Sequence, residues 1–88
     1  MNPRDAEAAL REALELDTQN GCARIELGSL YEDQGRFAQA AVEFERAIAI
    51  EPNHCGAHCQ LGRIYRRQGR LPEAEAALRK ALELDPKD

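Results

Sequence analysis

Apolar residues recur three and four positions apart through most of the chain, and glycine or proline interrupts them at regular intervals. Leu27, Leu30 and Tyr31 form one such stripe, and Leu61, Ile64 and Tyr65 form another. This is the spacing of a helix that buries one face. Stripes and breakers together predict five helices, at about Pro3–Leu16, Gly21–Gln34, Phe37–Ile50, Cys55–Gln68 and Leu71–Leu84. Pro3 suits a first helical turn. Gly35 and Gly69 are placed to close the second and fourth helices in the left-handed conformation. Pro52 and Pro86 follow the third and fifth, where proline cannot continue the ladder. Asn53 is the expected N-cap of the fourth helix, and Asn20 or Thr18 that of the second. One or two residues remain between the second and third helices and between the fourth and fifth, so each pair must run antiparallel.

The pattern also repeats. Gly21–His54 aligns without a gap on Cys55–Asp88, a period of 34 residues. Ala23/Ala57, Leu27/Leu61, Gly28/Gly62, Tyr31/Tyr65, Gly35/Gly69, Ala40/Ala74 and Pro52/Pro86 are among the matches. Upstream, Ala6–Asp17 reads as Ala74–Asp85 with one difference, at twice that offset. Gly28 and Gly62 are mid-helix, where each costs about 1 kcal/mol against alanine. The same cost at the same phase implies that another helix approaches too closely for a Cβ, with Ala40 and Ala74 as the small residues facing them. Tyr31 and Tyr65 read as core residues with satisfied hydroxyls.

The matched residues resemble the tetratricopeptide repeat, a 34-residue helix–turn–helix unit of pattern W-x2-L-G-x2-Y…A-x3-F…P. One copy supplies Leu27, Gly28, Tyr31, Ala40, Phe44, Ala47 and Pro52; the next supplies Leu61, Gly62, Tyr65, Ala74, Leu78, Ala81 and Pro86. Ala6, Leu10 and Ala13 belong to a partial copy, with Thr18 at its proline position. Arg24 and His58 stand where the family has tryptophan, and Leu10 and Leu78 replace its phenylalanine. The resemblance implies an all-α solenoid, a right-handed superhelix of antiparallel helix pairs. Residues 1–20 would be a half repeat holding only a second helix, and 21–54 and 55–88 full repeats.

The resemblance further implies that the first helix of each unit lines a concave, peptide-binding face. Carried over by position, that face presents Cys22, Ile25, Ser29, Glu32 and Asp33, then Gly56, Cys59, Arg63, Arg66 and Arg67, with Glu26 and Gln60 beside it. Acids on one helix meet arginines at the same phase on the next. Either Glu32 and Asp33 pair with Arg66 and Arg67 and tie the stack together, or Arg63, Arg66 and Arg67 hold an acidic segment through bidentate guanidinium contacts. The carboxylate clamp some members build here is not expected, because Ile25, Glu26, Ser29, Gly56 and Gln60 include no lysine and Glu26 repels a carboxylate.

Composition narrows the rest. Eighty-eight residues make one domain, marginal as a globule but workable as a stack. A net charge of −4 with mixed signs disfavours nucleic acid. No apolar run spans a membrane, and the polar N-terminus is not a secretory signal. An odd number of cysteines (Cys22, Cys55, Cys59) without a signal reads as reduced thiols in the cytoplasm. His54, Cys55, His58 and Cys59 lie close together as two i, i+4 pairs. They are weighed as zinc or copper ligands, but packing and capping roles are preferred, since the spacing fits no zinc-finger pattern. No phosphate loop or nucleophile motif suggests catalysis, and no cofactor is expected.

Two functions follow as expectations. The first is an interaction module offering its concave groove to a peptide or protein. The second is self-association into an oligomer. The pattern opens on a unit's second helix and stops after a complete unit, so it reads as a fragment of a longer array or as a chain that covers its own ends. Ala6, Leu10 and Ala13 at one end and Leu71, Leu78 and Leu82 at the other would be the exposed surfaces.

Overall fold

A computed structural model describes residues 3–86. It contains α1 (Pro3–Leu16), α2 (Gly21–Asp33), α3 (Phe37–Ile50), α4 (Cys55–Arg67) and α5 (Leu71–Leu84). Among the described residues there is no strand. Each helix packs chiefly on its neighbours in sequence, most extensively α2 on α3 and α4 on α5. The product is a stack of antiparallel pairs, an all-α solenoid 34 × 24 × 19 Å in extent.

The helices α2 and α4 end one residue earlier than the stripes predict, which lengthens each turn to three residues. The cause is a paired-hydrogen-bond cap. Gly35, at φ 73°, donates to the Glu32 carbonyl at 3.0 Å while Arg36 N–H reaches back to Tyr31 at 2.8 Å. Gly69, at φ 76°, and Arg70 repeat both bonds on Arg66 and Tyr65, at 3.0 and 2.8 Å. This is the Schellman motif, which usually closes with an apolar contact between its outermost residues. Here a cation–π contact takes that place. The Arg36 guanidinium lies 4.7 Å from the Tyr31 ring centre, and that of Arg70 4.3 Å from Tyr65.

At the N-termini, Asn20 Oδ1 accepts from Ala23 N–H at 3.0 Å, as expected. The fourth helix is capped by His54 and not by Asn53: His54 Nδ1 accepts from Ala57 N–H at 3.0 Å. The repeat explains the correction, because His54 stands one period after Asn20 and the same loop delivers both to the cap.

The mid-helix glycines do sit under a close approach, but alanines are not what fills it. A Cβ on Gly28 would lie 3.0 Å from the Phe44 ring, and one on Gly62 2.7 Å from Leu78 Cγ. Ala74 contributes only its carbonyl oxygen, 3.4 Å away. Large side chains of the facing helix use the space that glycine leaves. Phe44 is wholly buried with Ile64, and Leu27, Tyr31, Ala40 and Ala57 complete the centre of the core. Burying each large side chain contributes about 1.5–3 kcal/mol.

Candidate functional site

The inner-face residues follow from the stacking of α2 beside α4. Cys22 and Asp33 are exposed on α2, while Ile25, Ser29 and Glu32 are half-buried. Cys59, Arg63, Arg66 and Arg67 are exposed on α4. The charges do not meet at equal phase. Arg63 Nη2 donates to Glu32 Oε2 at 2.9 Å, and Ser29 Oγ donates to Gln60 Oε1 at 3.4 Å. Both pairs are separated by 31 residues, one helical turn short of the repeat. Adjacent first helices are therefore out of register by a turn, and the expected pairing of Glu32 and Asp33 with Arg66 and Arg67 is replaced.

The remaining arginines of α4 are placed differently. No ion pair or hydrogen bond engages the Arg66 side chain among the described residues. Arg67 falls beside Phe37, its guanidinium 5.7 Å from the ring centre. Asp33 likewise has no partner among the described residues. The inner face thus presents one cation already paired, one unpaired and one resting on an aromatic ring.

The His/Cys cluster divides between structural tasks. His54 Nδ1 is occupied by its cap. His58 is buried, and its Nε2 donates to the Pro52 carbonyl at 2.8 Å. Arg24, one period earlier, makes the equivalent bond from Nη2 to the Thr18 carbonyl at 3.4 Å. At the position where tryptophan is usual, both copies tether the preceding loop instead. Among the described residues, no group of three or more His, Cys, Asp or Glu side chains is arranged to hold a metal ion. Cys55 and Cys59 face a groove at the end of the stack, with Leu78, Ala81, Leu82 and Asp85.

Sequence reasoning missed the polar contacts outside the inner face. Glu43 is buried at 8% exposure and accepts from Arg24 Nη1 at 3.0 Å, with Arg46 at 3.7 Å. Arg24 Nε is buried without a partner. Glu43 gave no signal because its counterpart is Ala77. Arg11 Nη2 donates to the Tyr31 hydroxyl at 2.9 Å, whereas one period later the Tyr65 hydroxyl donates to Glu45. Burial, and then the Glu45 carboxylate, push the Tyr65 hydroxyl up to about 12.

Tetratricopeptide repeat signatures match the chain over residues 25–88 and over residues 2–43. The chain belongs to the tetratricopeptide repeat family. Similar members include a probable UDP-N-acetylglucosamine–peptide N-acetylglucosaminyltransferase SPINDLY of Solanum lycopersicum, 42% identical over 43 residues. That stretch is 49% of this chain and 5% of the relative. The crystal structure of MamA is 32% identical with a TM-score of 0.92, covering 97% of this chain and 50% of MamA. YrrB, described as a TPR protein with an unusual peptide-binding site, is 26% identical with a TM-score of 0.87, covering 96% of this chain and 43% of YrrB. This tetratricopeptide repeat segment therefore spans at most half of those solved chains and about a twentieth of SPINDLY. Such repeats are generally interaction modules and not catalysts. No described helix is long and apolar enough to cross a membrane.

Proposed function

We propose that the chain, read as a half repeat (1–20) and two full repeats (21–54 and 55–88), is a protein-interaction module. Its inner face, made by α2 and α4, takes an extended acidic segment of a peptide or protein. The observation that carries this is Arg66, exposed and unpartnered among the described residues, one turn from Arg63 on the same face. Two guanidiniums at that spacing suit neighbouring carboxylates, and the rigid stack lowers the ordering cost on the receptor side. Likeness to YrrB is compatible with peptide binding. The reading assigns no catalysis, cofactor or nucleic acid, in keeping with the net charge of −4, and it places the reduced thiols in the cytoplasm.

The test is fluorescence anisotropy with a labelled Asp/Glu-rich decapeptide against the same length of Lys-rich peptide. Arg63→Glu with Arg66→Glu is expected to weaken the acidic peptide about tenfold or more, the scale of losing charge-assisted hydrogen bonds. Arg67→Glu acts less, because that side chain rests on Phe37. Unchanged affinity in the double variant defeats the reading.

A second reading, self-association, is favoured by the exposure of Leu71 (60%) and Leu82 (51%) on α5, whereas Leu78 is half-buried and, at the other end, half-buried Leu10 and Ala13 pack on the core and are not the open surface expected of them.

A further inference from the structure

One repeat position is occupied by Leu14 on α1, Ile48 on α3 and Leu82 on α5. Leu14 is only 8% exposed because α2 lies against α1, and Ile48 packs on the core where α4 lies against α3. Leu82 is 51% exposed. It borders the end groove of about 300 Å³, whose lining is almost wholly apolar. At both inner positions the covering element is the first helix of the following unit. The end groove accordingly matches a helix of that type.

The chain carries such a helix already fitted to this surface. α2 packs on α1, and α1 repeats in α5 with one change over twelve residues, Glu12 for Lys80. The contacts that α1 makes are specific. Leu14 enters the core, Arg11 donates to the Tyr31 hydroxyl at 2.9 Å, and Glu7 pairs with Arg36 at 3.2 Å. α5 holds Leu82, Arg79 and Glu75 at those same places. Arg79 and Glu75 are exposed and, among the described residues, pair with each other.

We propose that α5 of one copy replaces α1 on α2 of a second copy, so that the chain associates head to tail by exchange of a terminal helix. This deepens the self-association reading and rests on it. Leu82, Arg79 and Glu75 then satisfy the core, Tyr31 and Arg36 of the second copy. The one-turn offset seen between α2 and α4 continues across the junction. It sets Arg63 against Glu26 of the second copy, an opposite charge, and Cys59 against Cys22 of the second copy. α5 arrives with α4 behind it, so the junction covers more of α2 than α1 alone covers. The contact is heterologous and open: the first copy keeps its own α1 in place, and the last leaves its α5 uncovered.

Sedimentation equilibrium of the 88-residue chain over a wide concentration range is the first measurement. The wild-type mass is expected to rise with concentration, while Leu82→Glu, at an exposed site, stays monomeric to at least about tenfold higher concentration. Leu14→Ala loosens α1 and is expected to move association to about tenfold lower concentration, with helicity checked by circular dichroism. Arg11→Gln, exposed and harmless to the core, provides the same test if Leu14→Ala loses its fold. A short bifunctional maleimide in a Cys55→Ser background should join Cys59 of one copy to Cys22 of another, read by mass spectrometry. Association that survives Leu82→Glu, that weakens when α1 is loosened, or that yields no such cross-link overturns the exchange while self-association stands. A monomer at every concentration overturns both.

Discussion

Individual side chains in this stack have been assigned opposite partners at equivalent positions. Tyr31 accepts from a cation, Arg11, where Tyr65 donates to an anion, Glu45. The second arrangement has a pH signature. With its folded value raised to about 12 from an ordinary 10.0, Tyr65 ionises first in the unfolded chain. Its contribution is complete below pH 10, and it is lost as pH climbs from there to about 12. Thermal unfolding followed from pH 9 to 12 should show this fall, and Tyr65→Phe should flatten it relative to wild type. Glu43 makes a different case. It is a buried carboxylate held by Arg24, with the exposed Arg46 farther off, so Arg24→Met is expected to cost up to about 3–5 kcal/mol by removing its nearer cation. The pair Arg24→Met/Glu43→Met should cost less than Arg24→Met alone. A urea-denaturation double-mutant cycle with additive losses would contradict that coupling.

At the scale of elements, the two hairpins α2–α3 and α4–α5 are versions of one design with different fillings. Gly28 faces the flat Phe44 ring at 3.0 Å, while Gly62 faces the branched Leu78 at 2.7 Å. Alanine gains about 1 kcal/mol of helix propensity at either site. Overpacking costs about 1–3 kcal/mol, and the shorter distance puts Gly62 at the upper end. Gly62→Ala should therefore lower the melting temperature more than Gly28→Ala does. Equal shifts in differential scanning calorimetry would mean that Leu78 swings aside freely. The caps respond to a different force. Gly35→Ala forces a left-handed residue with a Cβ, at a cost of about 1–2 kcal/mol, and Gly35→Asn should recover part of it.

For the whole molecule, the two proposals assign different tasks to the stack's two surfaces. The inner face supplies charge, through Arg63 and Arg66. The end face supplies apolar area, through Leu78, Ala81 and Leu82. Substitutions on one should leave the other intact. The Arg63→Glu/Arg66→Glu pair touches Arg63 of the inferred junction as well, so Arg66→Glu alone is the cleaner probe of the groove. It is expected to lower acidic-peptide affinity with little change in sedimentation. The repeat makes this separation possible because stability passes between neighbouring units, with no single centre that both surfaces share.

Helix number, order and family were legible in the sequence because they depend on local periods: apolar spacing, glycine after the second and fourth helices, and proline after the third and fifth. Even the His54 cap was implicit one period after Asn20. What the period could not convey was the relative setting of adjacent units. The one-turn offset between α2 and α4 is set by how one helix pair docks on the next, through contacts between residues far apart in sequence such as Ser29 with Gln60 and Glu32 with Arg63. That offset decided that Glu32 takes Arg63 and that Arg66 is left without an ion pair among the described residues. Residues without a repeat counterpart, Glu43 above all, left no trace in the pattern and became visible only where packing brought Arg24 and Arg46 to them.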